Sequence, residues 1–239
     1  MSPTPVDARP DARIEALLRD LGSRLRRGGS HEAARQASGG RRHATGLADV
    51  DALIGGGFPA GRLCEIAGPL SSGRTSLALA LLAQATRAGE WTALVDAADA
   101  LDPASAQAAG VALERVLWVR PQDAQQAARA SARLLELRGF ALIALDLAPT
   151  RAQSPLPDAA WQRLARAAAA SGTSLVVLAP RRIAGAHSAL SLETRRARAH
   201  WSGTPALLDG IEIEAEVTRR REGPARVAAV RLRAASRAA

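Results

Sequence analysis

The chain predicts an α/β fold: a doubly wound, mostly parallel sheet with helices on both faces. Three observations carry that expectation. Apolar runs alternate with helical stretches from about Leu63 to Ala179, the rhythm of strand–helix–strand units. The run Leu63-Cys64-Glu65-Ile66-Ala67 opens through Gly68-Pro69-Leu70-Ser71-Ser72-Gly73-Arg74-Thr75 into the helical Ser76–Leu82. Phe140 to Leu145 is apolar at every position and ends in Asp146, which suits a strand covered on both faces.

The middle observation has a chemical meaning. Strand, glycine-rich turn and helix in that order form a phosphate cradle, because glycines let backbone N–H groups point inward and the helix N-terminus adds positive potential. The spacing fits the phosphate-loop pattern at every position but one, where Arg74 stands in place of lysine. A planar guanidinium does not substitute freely for an ammonium at a tight phosphate site. An ordinary strand-to-helix turn is the plainer alternative.

With 239 residues, 47% of them hydrophobic, the chain can bury one sizeable core. It contains no lysine and no tyrosine, so all 32 basic residues are arginine. A net charge of +9 and an isoelectric point near 11.4 favour an anionic partner, either nucleic acid or an acidic protein surface. Cys64, the only cysteine, lies in an apolar run, which excludes internal disulfides and cysteine-rich zinc sites and predicts a core filler. No run has the length of a membrane span and the N-terminus lacks signal-peptide order, so a cytoplasmic protein is expected.

Three regions follow. Residues 1–44 hold an amphipathic helix from Asp11 to Arg27, with Ile14, Leu17, Leu18, Leu21 and Leu25 at helical spacing, then a polar, glycine-containing linker. Residues 45–205 form the core. Thr45–Gly61 reads as a short helix and glycine turn, and Trp91–Ala97 as a strand ending at Asp96. Val116–Val119 is a strand, Ala124–Arg138 a helix, Asp158–Ser171 a helix and Leu175–Leu178 a strand. Residues 206–239 form a β-hairpin and tail. Ile211, Ile213, Ala215 and Val217 alternate with glutamates, Glu222-Gly223-Pro224 turns the chain, and Val227–Leu232 returns. The hairpin is expected to extend the main sheet. His31, His43, His187 and His200 lack ligand spacing and are expected at the surface; no catalytic constellation and no metal site emerge.

Three stretches together resemble the RecA recombinases: Gly57-Phe58-Pro59-Ala60-Gly61-Arg62-Leu63, Glu65 through Gly73, and Asp96-Ala97-Ala98-Asp99-Ala100-Leu101-Asp102-Pro103. The resemblance implies a RecA-like core whose nucleotide site would use Gly68, Ser71, Ser72, Gly73, Arg74, Thr75, Ser76 and Asp146, the last at the magnesium-side position. It also marks departures: Arg74 replaces the lysine, Ala98 replaces the carboxylate that orients water, Ser105 falls near the adenine-stacking aromatic, and Ala179-Pro180-Arg181-Arg182 replaces the γ-phosphate sensor. Losing the carboxylate and the lysine removes transition-state stabilisation on the order of 10³-fold or more. Rapid ATP turnover is therefore not expected, and ATP with magnesium is doubtful as a cofactor.

A short, degenerate relative of this kind resembles the ImuA family of bacterial translesion synthesis. That implies a noncatalytic accessory protein in SOS mutagenesis, beside an ImuB-type Y-family polymerase relative, the RecA recombinase and an error-prone DNA polymerase III α-type subunit. A weak DNA-dependent ATPase or a SulA-like division inhibitor is the alternative. At Asp146 two readings stay open: it holds Mg²⁺, or it braces an empty loop through Thr75 or Ser76, with Arg74 paired to Asp146 or Asp96. Arg219 and Arg221 match a lysine pair that in the recombinases reaches a neighbouring subunit's nucleotide; a solvated hairpin edge is equally open. Arg24–Arg27, Arg41, Arg42, Arg181, Arg182 and the run containing Arg195, Arg196 and Arg198 are candidates for nonspecific DNA contact. Trp161 and Trp201 fall where the family has DNA-contacting loops, though aromatics at only 3% give no stacking platform.

Overall fold

The computed structural model describes residues 19–20, 23, 40–147, 156–204, 207–220 and 226–233. Most of the amphipathic N-terminal helix, its linker, Arg221, the Glu222-Gly223-Pro224 turn and the tail lie outside the described residues; Arg19, Asp20 and Ser23 are helical.

The chain enters through β1 (Arg42–His43), which pairs with β2 (Phe58–Pro59) in a two-stranded antiparallel ladder around α1 (Ala48–Ile54). Asp51 organises the entry to α1 by accepting from the Thr45 amide and hydroxyl and from the Gly46 amide. Gly55 ends the helix at φ 74°, a left-handed conformation glycine adopts without a Cβ penalty. Its last carbonyl, on Ile54, accepts from Arg220 at 2.9 Å, a cation placed where the helix dipole is negative.

The core then alternates: β3 (Leu63–Ala67), α2 (Arg74–Arg87), β4 (Thr92–Asp96), α3 (Pro103–Ala108), β5 (Val116–Val119), α4 (Ala124–Leu137), β6 (Leu142–Asp146), α5 (Asp158–Ser171), β7 (Ser174–Ala179), β8 (Leu190–Ser202), β9 (Leu207–Arg220) and β10 (Arg226–Arg233). Among the described residues these strands form an eight-stranded sheet ordered β10-β9-β8-β3-β7-β6-β4-β5. From β8 to β5 every neighbouring pair is parallel. The ribbon β8-β9-β10 is antiparallel. Every residue of β3, β4, β6 and β7 is buried, as expected of strands sandwiched between helical layers.

The pleat divides the apolar side chains between two cores. Cys64, Ile66, Ala144, Val176 and Leu178 face α1 and α2. Leu63, Val95, Ile143, Leu145 and Val177 face α4 and α5. The doubly wound, mostly parallel arrangement is the one the alternating pattern predicts. Among the described residues no helix is long and apolar enough to cross a membrane.

Three expectations are corrected. His43 is buried, at 8% exposure, because β1 packs under the glycine turn; burial lowers its pKa to about 4, Arg41 adding to the effect and Glu90 opposing it. Trp161 is a core residue of α5, 4% exposed, and not part of a DNA-contacting loop. Trp201 lies in the long strand β8 rather than in a loop, as do Arg195, Arg196 and Arg198. The arginines hide its alternation: Leu190, Leu192 and Thr194 are buried, whereas the outer half of the strand runs beyond the core into solvent. Leu207 to Ile211 belong to β9.

Candidate phosphate-loop site

Gly68 to Gly73 leaves the C-terminal end of β3 in the middle of the sheet, between β7 and β8. In an open parallel sheet this end is where ligands bind. The Gly68 amide donates to the Ala179 carbonyl at 3.0 Å, tying the loop to the end of β7. A Cβ on Gly68 would lie 2.4 Å from both the Ser72 and Thr194 hydroxyl oxygens, so only glycine fits. Ser71 at the loop apex has φ 60° and Gly73, the N-cap of α2, φ 84°. The loop thus has the tight, glycine-dependent turn that the sequence predicts.

Its side chains are turned inward. Ser72 is buried, 1% exposed, and its Oγ accepts from the Thr194 hydroxyl at 2.9 Å. Arg74 is buried at 5% exposure in the first turn of α2, where the helix dipole disfavours a cation. Its guanidinium folds back and donates from Nη1 to the Gly68 carbonyl of its own loop. Nε has no partner. Burial pulls the Arg74 pKa down, and the Asp146 carboxylate opposes that shift. The cation is held by a loop carbonyl, and the strand-end Asp146 carboxylate favours its charged form, while Thr75 and Ser76 remain exposed.

Asp146 and Asp96 occupy matching positions at the ends of adjacent strands. Asp96 does not engage Arg74. Its Oδ2 accepts from the Leu101 amide at 2.9 Å and from Trp118 Nε1 at 3.3 Å, and its buried Oδ1 has no hydrogen-bond partner among the described residues. Ala98 follows with no polar group, and Asp99, at φ 50°, reaches Arg120 at 3.4 Å. Ser105 sits in the first turn of α3 bonded to its N-cap, Asp102.

These residues do not fit a magnesium-bound nucleoside triphosphate. The loop's cation is spent on the loop's own carbonyl, Asp146, which the resemblance sets on the magnesium side, acts on that cation, and position 98, where the resemblance expects a water-orienting carboxylate, is alanine.

Beside the loop, a cleft of about 280 Å³ is lined by Gly68, Pro69, Arg181, Arg182, Glu193 and Arg195, among others. Arg195 pairs with Glu214 at 2.5 Å and Arg182 lies 3.9 Å from Glu193; Arg181 and Arg196 are exposed. Arg219 is turned to its own chain, donating from Nε to the Ser188 carbonyl at 2.8 Å and from Nη2 to Ala186 at 3.2 Å. The structure therefore groups Arg181, Arg182 and Arg195 near the loop and leaves Arg219 apart.

Sequence reasoning missed Glu65 and Thr194. Glu65 is fully buried in β3 and accepts from the Ile183 and Ala184 amides at 2.6 and 3.1 Å, fixing the segment after β7. A glutamate inside an otherwise apolar run was the available signal. Thr194 gave none, since its role depends on β8 lying beside β3.

Residues 27–155 match the model of the RecA N-terminal domain. The chain is 42% identical over 103 residues to protein RecA of Rubrobacter xylanophilus, covering 43% of this chain and 30% of that protein. It is 39% identical over 102 residues to protein RecA of Picosynechococcus, covering 43% and 29%. With the chloroplastic DNA repair protein recA homolog 1 of Arabidopsis thaliana it shares 34% over 137 residues, 56% of this chain and 30% of that one. The chain thus spans about a third of the length of these relatives. The crystal structure of the RadB recombinase superposes with a TM-score of 0.62 at 24% identity, covering 79% of this chain and 95% of that one, a likeness of fold.

Proposed function

Given that this chain belongs to the RecA family, with the N-terminal domain of that family carried on residues 27–155, we propose that it is a noncatalytic accessory protein of DNA-damage-induced mutagenesis. In this reading the RecA-like core is a scaffold for protein contacts. Its partners are an ImuB-type polymerase relative, the recombinase and an error-prone DNA polymerase III α-type subunit.

The observation that carries the reading is Arg74, buried and donating to Gly68 of its own loop. A cradle that consumes its cation internally cannot stabilise charge developing on a transferred phosphoryl group. What remains is a surface of the recombinase shape, suited to recognition by proteins that handle recombinase filaments.

Two measurements test this. A ligand that binds only the folded state must raise the melting temperature, so a magnesium-bound ATP analogue is expected to leave it unchanged. Pairwise co-elution with purified ImuB-type protein and recombinase is expected to give a complex. Phosphate release stimulated by single-stranded DNA would overturn the noncatalytic part, and failure to co-elute with either protein would overturn the accessory part.

A further inference from the structure

The outer face of the helical layer carries a second feature, remote from the phosphate loop in sequence and unrelated to nucleotide chemistry. α4 and α5 pack side by side on one face of the sheet, leaving between them a groove of about 810 Å³. α4 contributes Ala128, Arg129, Ala132 and Arg133, the three- and four-residue spacing of a single helix stripe. α5 contributes Ala160, Arg163, Leu164 and Ala167, with Arg166 at the rim.

Each stripe sets apolar floor residues beside exposed arginines. Ala128, Ala160 and Leu164 are buried, whereas Arg129, Arg133, Arg163 and Arg166 are exposed. Against these four cations the lining holds one carboxylate, Glu136, which pairs with Arg133 at 3.0 Å. Among the described residues no ion pair reaches Arg129, Arg163 or Arg166. The groove is therefore apolar at its floor and cationic on both walls.

We propose that the α4–α5 groove is a docking slot for an acidic amphipathic helix of a partner protein. Alanines at floor positions let a helix backbone approach closely, and arginines on both walls select an occupant with carboxylates along both flanks of an apolar ridge. A nucleic-acid strand fits less well, because an apolar floor gives phosphates nothing and the lining holds no aromatic on which bases stack.

Taken whole, none of the chain's own remaining segments is net acidic. Residues 1–39 carry seven arginines against five acidic residues, residues 148–155 contain Arg151 and no acidic residue, and the tail from Ala234 contains Arg237 and none. A second copy brings the same segments. The occupant is accordingly a different chain. The inference goes beyond the accessory reading and does not require it, since it rests on the groove alone.

The test uses the full-length protein and a fluorescein-labelled synthetic helix with glutamates flanking an alanine–leucine ridge, followed by anisotropy. Saturable binding is expected, weakened about tenfold or more by the double substitution Arg129→Glu and Arg163→Glu, at an unchanged melting temperature. Ala132→Trp keeps every charge but fills the groove, and is expected to weaken binding as well; Ala167→Gln on the opposite wall answers the same question if Ala132→Trp lowers the melting temperature. Polyglutamate of equal charge and oligo-dT serve as competitors and are expected to displace the peptide poorly. Binding indifferent to the charge reversal overturns the site. Sensitivity to charge alone, with the groove-filling variants neutral, overturns docking in the groove, and better displacement by oligo-dT assigns the arginines to nucleic acid.

Discussion

At the end of β3 an arginine is turned inward, whereas along the outer face of α4 and α5 arginines are turned outward. Arg74 is buried, donates to its own loop and feels the Asp146 carboxylate. Arg129, Arg163 and Arg166 stand in solvent around an apolar floor. The two regions share a residue type that composition makes abundant. What separates them is desolvation: a buried cation must be compensated by the protein and becomes structural, while an exposed one keeps its charge available to a partner.

Substitutions can break or sharpen this contrast. The largest expected effect is in neither arginine but in the residue that seats α5. Trp161→Ala removes a side chain 4% exposed and should cost about 4 kcal/mol in denaturant unfolding. The outward pair to it, Trp201→Ala, at 61% exposure, should change stability by less than about 0.5 kcal/mol. Equal costs would show that α5 is not anchored as described.

Next comes Arg74→Ala, which leaves the Asp146 carboxylate without the cation that acts on it. A loss of about 3 kcal/mol is expected by chemical denaturation. A neutral result would mean that Arg74 is spare and free to meet a ligand, erasing the contrast at its inward end.

Third is acidification. Folded His43 titrates near 4, whereas in the unfolded chain it takes up a proton near pH 6.5. Between those values the unfolded state binds more protons, so stability is full above about pH 6.5 and falls as the pH drops. At pH 5 the expected loss is about 2 kcal/mol, and His43→Gln should flatten that part of the stability profile. An unchanged slope in the variant would place the histidine in solvent.

The smallest effect belongs to the outward arginines. Arg163→Ala should stay within about 0.5 kcal/mol of the parent, measured by the same denaturation midpoint. A larger loss would make that wall of the groove structural and remove the reason to read it as a recognition surface.

Cys64 shows how local and tertiary information divide. An apolar neighbourhood in the sequence was enough to place it in the core, and burial indeed pushes its thiol up to about 12, leaving it unreactive. His43 had no such neighbourhood. Its burial comes from β2 pairing across the glycine turn, a contact between residues fifteen apart.

By itself the sequence determined the alternation of strand and helix, the glycine turn after β3 and the absence of the lysine and carboxylate from their expected positions. These are local properties, written in periods of two and 3.6 residues and in the φ freedom of glycine. Only the tertiary structure decided that Arg74 folds onto Gly68, that Thr194 on β8 seals Ser72, and that two alanine–arginine stripes meet in one groove. The first depends on how the loop is buried, the others on which strands and helices lie side by side; Thr194 and Ser72 are 122 residues apart, an adjacency settled by the packing of the whole sheet, for which no short stretch of chain carries the instruction.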